Sequence, residues 1–587
     1  MNGSTTLATV LVDELVRCGV REVVLAPGSR SAPLAYAVQQ AERAGRLRLH
    51  VRVDERSAGF LALGLAKVSR RPAVVITTSG TAVANLHPAV LEAHHASVPL
   101  VVLSADRPEE LRGTGANQTT VQPGIFGRAV RWEHDLTSSW GSSVRLSRDF
   151  GEILHAHPGW RTTVDRAWAA AVGALGGTPG PVHLNVAFRD PLAPDLDASP
   201  ALPTELAGRA DGAPWTAVPT TSPQPRSGGP GAGERPDPVP TLMVLGDLPD
   251  PRLAEEALTV AVARGWPVVA EPFGAGDRGT VLPHGSLLLT AEDWLDDHLP
   301  ERVLLVGRCT LNRETGALLR RPAVRVEAVT PTGTWPDPSH AVAQVHPWGA
   351  LAEWAADEAG PPEAQGSWAT LWHRAGQAVA EAVRPLLEDS WPSGPFVART
   401  VLDALADEDL LVLGSSNAAR DADRAGLAGR RLLVTGNRGL AGIDGTNATA
   451  VGIALAAPDR RVVSLVGDLT FLHDVNGLLL GPDEPRPDLT VVVLNDDGGG
   501  IFGTLEYGEP ARAGDFERVF GTPTGADLSA VATAYSLGFE RVGSAGELRA
   551  ALHRPAEGIR VIEVVVPRDG QRALRERLTQ AAAAALG

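Results

Sequence analysis

The sequence predicts an α/β protein made of three doubly wound parallel-sheet domains, and three observations carry that prediction. Short apolar runs alternate with helix-like segments along most of the chain, as in strand–helix–strand units with parallel strands. One stretch, residues 197–238, is rich in Pro, Gly, Ala and Ser and poor in large apolar residues, which marks a partly disordered linker. At 587 residues the chain is long enough for several domains of the usual ~100–200 residues. The divisions fall at 1–196, the 197–238 linker, 239–366 and 367–587.

The first domain opens with a strand at 20–26, a turn through Pro27-Gly28-Ser29-Arg30-Ser31 and a strand at 47–53 that ends in Asp54-Glu55-Arg56. An apolar helix at 58–68, a strand at 73–77 and the turn Thr78-Ser79-Gly80-Thr81 follow. Next come a helix at 82–95, a strand at 100–104 running into Asp106-Arg107-Pro108, and a closing strand at 180–186. The runs TLMVLGD, WPVVAEP and RVLLVGR give the second domain its strands, out to about 362. The third has strands at 410–413, 431–435, 461–466, 489–494 and 559–566, with a helix-like segment at 472–480. No short repeat is visible, but the first and third units match in size and style.

Composition removes several classes of function. Apolar residues make up 44% of the chain, yet no apolar run approaches the ~20 residues of a membrane helix. The N-terminus has neither a basic region nor an apolar signal segment, so a cytoplasmic protein is expected. A net charge of −16 argues against nonspecific nucleic-acid binding. Lys67 is the single lysine, which disfavours Schiff-base catalysis, and Cys18 and Cys309 form no metal or redox spacing.

The strongest chemical signal is VGDL followed by VVVLNDDGGG. The strands at 461–466 and 489–494 end in Asp468 and Asn495, and in an open α/β sheet such ends face one crevice. Hard oxygen ligands there suit Mg²⁺ that also keeps phosphate oxygens, and Gly467 lets the backbone approach an anion. A Mg²⁺–diphosphate site is the chemical reading; an ordinary pair of strand-end polar residues is the alternative. The pattern resembles the GDG and NN motif of thiamine-diphosphate enzymes, with Leu469 in place of the second Gly and Asp496 in place of the second Asn. Leu469 fits because the motif is used through its backbone, whereas Asp496 would bring a negative charge beside the diphosphate. The resemblance implies thiamine diphosphate with Mg²⁺ (or Mn²⁺) held by Asp468, Asn495 and the backbone carbonyl of Asp497, and cofactor contacts from Gly467 and Leu469.

Glu55, at a strand end before an apolar helix, reads in isolation as a surface carboxylate. Thiamine-diphosphate chemistry, however, needs one buried carboxylic acid, its pKa raised by desolvation, against the aminopyrimidine ring. VDE, an apolar helix and TTSGTA together resemble the pyrimidine-binding domain of this superfamily, which makes Glu55 the activating acid. Within the superfamily, PGSRSAPLA, VDERSAGFLALGLAK, TTSGTAVANLHPAVLEA, LSADRPEELRGTGANQT, GNRGLAGIDGT and VGDL…LNDDGGGIF resemble one family closely. That family is the 2-succinyl-5-enolpyruvyl-6-hydroxy-3-cyclohexene-1-carboxylate synthases (MenD) of menaquinone biosynthesis. The resemblance covers the chain, weakest in the middle domain and absent from the linker.

It implies decarboxylation of 2-oxoglutarate and addition of the succinyl carbanion equivalent to isochorismate. Ser29, Arg30, Arg107, Asn117 and Gln118 would line the substrate side; Ser416, Arg420 and Arg438 would meet substrate carboxylates from the third domain. Ser416 would also lie beside the cofactor, and Arg313 is a weaker candidate, since a basic pair common there is Arg313-Glu314 here. Residue chemistry agrees, because both substrates are dicarboxylates and arginine forks match carboxylates bidentately. An acidic chain taking anionic substrates also needs local positive focusing. A surface ion pair of little worth is the alternative for any one arginine. Ile443 is either the apolar wedge that bends the cofactor or a core isoleucine. His94, His95 and His473 fit no zinc spacing and read as structural.

The superfamily joins the first domain of one subunit to the third of another, which implies a homodimer or a dimer of dimers. Two other readings stand beside this one. A carboligase of acetolactate-synthase type would act on pyruvate, and the arginine-bearing loops count against it. A non-catalytic nucleotide-binding regulatory protein would lack the catalytic set, and no G-x-G-x-x-G follows a strand.

Overall fold

Runs such as Ala73–Thr77 and Leu410–Leu413 are apolar at successive positions, which suits parallel strands covered on both faces. Both are buried throughout. The computed structural model describes residues 2–137, 146–195, 202–219, 239–356 and 363–587. In it the strands form three parallel sheets with helices packed on them, the α/β architecture that the sequence predicts.

The first sheet comprises β1 (Glu22–Leu25), β2 (Arg48–Val51), β3 (Ala73–Thr77), β4 (Leu100–Asp106), β5 (Trp132–Leu136) and β6 (Pro181–Ala187). The second comprises β7 (Thr241–Leu245), β8 (Val268–Ala270), β9 (Arg302–Val306), β10 (Arg325–Thr330) and β11 (Val342–Pro347). The third comprises β12 (Leu410–Leu413), β13 (Leu433–Thr435), β14 (Val462–Gly467), β15 (Leu489–Asn495), β16 (Gly538–Val542) and β17 (Ile559–Val565). Their orders are β2-β1-β3-β4-β6-β5, β11-β10-β9-β7-β8 and β13-β12-β14-β15-β17-β16. The first and third sheets therefore share one topology, and each reverses direction of winding between its first and third strands. Crevices at such reversals are where open α/β sheets take ligands.

Those two units are packed directly on each other. The Glu55–Ser69 helix lies against the Thr446–Ala456 helix, and one apolar core joins Phe60, Leu61 and Leu65 to Ala450, Ile453 and Val466. The helices approach closely because of two glycines: a Cβ on Gly64 would sit 2.2 Å from the Thr449 carbonyl oxygen, and one on Gly452 2.4 Å from that of Leu61.

Two helices differ from the sequence expectation. The 82–95 segment is two helices, Thr81–Ala84 and His87–Ala96, interrupted just before Pro88, which has no N–H to give to a continuing helix. The helix expected at 472–480 begins instead at Asp468 and ends at His473, followed by a 3₁₀ turn over Val475–Leu478. Asp474 leaves the helix because its buried carboxylate turns to accept the Ala448 N–H at 2.8 Å. In the stretch read as a linker, residues 202–219 are fastened to the first unit. Leu206 is 1% exposed, Arg161 donates to its carbonyl, and the Trp215 and Thr216 N–H groups donate to Glu14 and Asp165 at 2.6 and 2.7 Å. The rest of that stretch, 197–201 and 220–238, lies outside the described residues. Among the described residues no helix is long and apolar enough to cross a membrane.

Candidate active site

A cavity of about 600 Å³ opens at the C-terminal ends of the third sheet's strands, where its winding reverses. The turns after β12, β13, β14 and β15 form its walls, with Thr310 reaching in from the second unit. Seven of the residues singled out in the sequence meet there: Ser416, Arg420, Arg438, Ile443, Gly467, Asp468 and Leu469.

One end of the cavity is acidic. Asp468 is 2% exposed at the start of its helix, and its Oδ2 is buried without a hydrogen-bond partner. Burial pushes its pKa up to about 6, although the backbone N–H groups of Leu469 and Gly498 point at it. Asp496 also lines the cavity and rises to about 7, first through burial and then through repulsion by Asp468. Gln571 donates to its Oδ2 at 3.3 Å. Two buried carboxyls so placed disfavour each other's ionised form and a cation between them would relieve this, so the donor set and the unpartnered oxygen fit a divalent metal.

Asn495 adjoins the cavity without lining it: its Oδ1 accepts the Asp497 N–H at 3.0 Å and its Nδ2 donates to Glu563 at 2.6 Å. The Asp497 carboxylate turns aside to the Thr524 and Gly525 N–H groups, at 3.0 and 2.9 Å. Gly498, at φ +140°, allows this turn; a Cβ there would lie 1.9 Å from the Gly521 carbonyl oxygen.

Arginines form another part of the lining. Arg420 donates to the Ser416 carbonyl at 2.9 Å, and Ser416 holds φ at 71° where its helix starts. Burial lowers the Arg420 pKa, and so do the neighbouring charges of Arg424 and Arg438. Arg438 is 4% exposed, lies over the Phe273 ring at 5.1 Å, donates to Thr310 Oγ1 at 2.7 Å and leaves its Nε without a partner. Crowded, buried guanidinium groups of this kind favour an anion.

The loop bearing Arg438 is gripped by the other two units. Glu92, buried in the His87–Ala96 helix, accepts the Gly439 and Leu440 N–H groups at 2.6 and 2.7 Å. Arg308 of the second unit donates to the Arg438 carbonyl and, at 3.0 Å, to that of Gly439. Ile443 stands half-buried in the cavity wall, and Arg313 is exposed away from it.

The first unit gathers a second cluster where its own sheet reverses. Arg107 is 8% exposed and donates to Ser79 Oγ and to the Gln118 carbonyl, both at 2.6 Å. Gln118, at φ 54°, returns a hydrogen bond to the Ser79 carbonyl at 2.9 Å. The Arg30 N–H donates to Thr78 at 3.3 Å, and burial lowers the pKa of its guanidinium, helped by the nearby Arg107 charge. Ser29 and Asn117 are exposed beside this cluster. Glu55 is half-buried at the start of its helix, next to Arg56, which donates to the His473 carbonyl at 2.7 Å. None of these first-unit residues lines the 600 Å³ cavity.

Comparison with known proteins bears on both halves. A family profile described as "Thiamine pyrophosphate enzyme, N-terminal TPP binding domain" matches residues 5–125, and one described as "Thiamine pyrophosphate enzyme, C-terminal TPP binding domain" matches 423–564. Proteins named 2-succinyl-5-enolpyruvyl-6-hydroxy-3-cyclohexene-1-carboxylate synthase are similar end to end. That of Saccharopolyspora erythraea is 47% identical and that of Kineococcus radiotolerans 48%, each over 100% of both chains. That of Nocardia farcinica is 46% identical over 98% of both. The chain belongs to the 2-succinyl-5-enolpyruvyl-6-hydroxy-3-cyclohexene-1-carboxylate synthase family.

As a member of this synthase family it is a thiamine-diphosphate enzyme, with the acidic cavity end inside the C-terminal profile and the Arg30–Arg107 cluster inside the N-terminal one. Sequence reading passed over several residues of the synthase cavity and its supports: Thr310, Asp421, Gln571, Glu92 and Glu271. Asp421 is buried and its pKa is raised by that burial. Gln571 and Asp421 sit in ordinary helical stretches, without a motif to mark them; Glu92 accepts backbone N–H groups from another unit and Glu271 from a distant turn of its own, which no local pattern records.

Proposed function

We propose that this protein decarboxylates 2-oxoglutarate, using thiamine diphosphate and Mg²⁺, and adds the succinyl unit to isochorismate in the cytoplasm. The products are 2-succinyl-5-enolpyruvyl-6-hydroxy-3-cyclohexene-1-carboxylate and CO₂, a step of menaquinone biosynthesis. The observation that carries the reading is one cavity lined both by Asp468 and Asp496 and by Arg420 and Arg438, in a chain alike along its full length to synthases of that name.

Asp468 offers an unpartnered oxygen for Mg²⁺, with Asn495 and the Asp497 carbonyl as its companions. The glycine-rich turn at 498–500 presents backbone to a diphosphate, and Ile443 offers an apolar support in the wall. Bound there, thiamine diphosphate supplies the carbon nucleophile and the electron sink. Arg420 and Arg438 take the carboxylates of the 2-oxo acid and fix its direction, while the enclosing walls keep water away.

Arg30 and Arg107, with Ser29, Asn117 and Gln118, form the side that receives isochorismate. Glu55 would be the residue that meets the aminopyrimidine ring of a bound cofactor and activates it. Because these first-unit residues stand apart from the chain's own cavity, a second copy completes the site. The active species is then a homodimer, or a dimer of such dimers.

The test is CO₂ release from 2-oxoglutarate with thiamine diphosphate and Mg²⁺, with and without isochorismate. Release that is slow alone, fast with isochorismate and abolished by chelation supports the reading. Release indifferent to isochorismate would point to another acceptor. No release from a protein that binds the cofactor would overturn it.

A further inference from the structure

The second unit reaches the cavity at Thr310, and a buried acid stands behind that residue. Glu271 follows β8, is 3% exposed and does not line the cavity. Its Oε1 accepts the Thr310 N–H at 2.7 Å and also the Leu311 N–H, which pins the turn after β9. Thr310 does line the cavity, and its hydroxyl accepts from Arg438 Nη2 at 2.7 Å. The peptide around Glu271 is itself fixed, since the buried Arg278 donates to the carbonyls of Glu271 and Phe273, at 3.1 and 2.5 Å, and Phe273 carries the ring under Arg438. A carboxylate in one unit thus sets the turn that sets a guanidinium in another.

We propose that Glu271 is a positioning residue for the 2-oxo acid, acting through Thr310 to hold Arg438 in the orientation that receives a substrate carboxylate. The proposal rests on the functional reading above and adds a residue to it. One Nη2 hydrogen bond to Thr310 fixes the guanidinium plane over Phe273, and the donors on the remaining edge are left for the ligand. Without the pinned turn, Arg438 keeps its charge but loses its direction. Direction is what a fork-to-carboxylate contact demands.

Steady-state kinetics of the cofactor-loaded enzyme test it with near-isosteric changes. Glu271→Leu and Thr310→Val are each expected to raise the KM for 2-oxoglutarate about tenfold, the size of one hydrogen bond to a charged group. The KM for isochorismate and the kcat should stay within about twofold, because the effect falls on one substrate's anchor. Glu271→Gln, which keeps the acceptor oxygen, and Thr310→Ser, which keeps the hydroxyl, should recover most of the loss. The double variant Glu271→Leu/Thr310→Val should be no worse than either single, since both break one chain of contacts. Equal rises in both KM values, a fall in kcat at constant KM, or additive losses in the double variant would overturn the proposal. If Glu271→Leu does not fold, the Thr310→Val and Thr310→Ser contrast together with Glu271→Gln decides the matter. Wild-type protein that neither binds nor decarboxylates 2-oxoglutarate would bring down the functional reading itself; an active wild type with indifferent variants would bring down only the role of Glu271.

Discussion

Replacing Asp474 by asparagine should flatten the dependence of stability on pH. Asp474 is fully buried, accepts the Ala448 N–H at 2.8 Å and the Ser57 hydroxyl at 3.2 Å, and so ties the starts of the two helices that join the first and third units. Burial raises its pKa from 3.8 to about 7; the Ala448 N–H and the Arg56 charge only partly oppose this, and Asp54 adds repulsion. Because the folded pKa lies above the unfolded one, the stabilising contribution is complete below about pH 4 and is lost as pH rises towards 7. A shift of about 3 units corresponds to on the order of 4 kcal/mol over the whole range, at ~1.4 kcal/mol per unit.

Precipitation near the isoelectric point of about 5.4 argues for starting at pH 6. Between pH 6 and 8 roughly one unit remains to be lost, about 1.4 kcal/mol, or roughly 3–6 °C in Tm for a cooperative unit of this size. Melting of the apoprotein across that range, wild type against Asp474→Asn, is the assay. Asp468, Asp496 and Glu271 are also raised by burial, and they cancel in the difference between the two proteins. Parallel curves for the two proteins would refute the reasoning.

Three further outcomes are expected. Arg438→Lys should raise the KM for 2-oxoglutarate by about 10- to 100-fold, because an ammonium lacks the planar fork, with steady-state kinetics as the check. Glu55→Gln should lower CO₂ release by at least ~100-fold while thiamine diphosphate still binds in a fluorescence titration; turnover at the parental rate would refute its role as the activating acid. Gly498→Ala should weaken Mg²⁺-dependent cofactor binding by more than ~10-fold, since backbone strain of ~1–3 kcal/mol falls on the turn beside Asp468; isothermal titration measures it.

Much of the architecture could be read from unbroken apolar runs, because central parallel strands are buried on both faces and have no polar side to disguise them. Ala73–Thr77 and Leu410–Leu413 match the sequence reading residue for residue. The strands that escaped notice include Trp132–Leu136 and Gly538–Val542, which lie at sheet edges and keep polar, exposed positions such as Glu133 and Arg541 in their pattern. In the cavity, Asp468 was legible because a strand end in an open sheet leaves a side chain aimed at the crevice, whereas Arg420, inside a helix, and Arg438 were legible only through the resemblance of GSSNAAR and GNRG to the synthase family. The inward direction of Asp496 was not, since neighbouring residues at 495–497 point three different ways. Glu92 and Glu271 read locally as helix and strand-end acids, and their partners lie hundreds or tens of residues away.

The grip on the Arg438 loop makes the candidate active site a gauge of the molecule's assembly. Glu92, Arg308 and Thr310 bring the first and second units to bear on a few consecutive residues of the third. A small sliding of one unit against another would tilt Arg438, the anchor proposed for the substrate, before it opened any core. Changes far from the chemistry, at the joints between units, should therefore announce themselves first as poor recognition of the small substrate and only later as loss of fold.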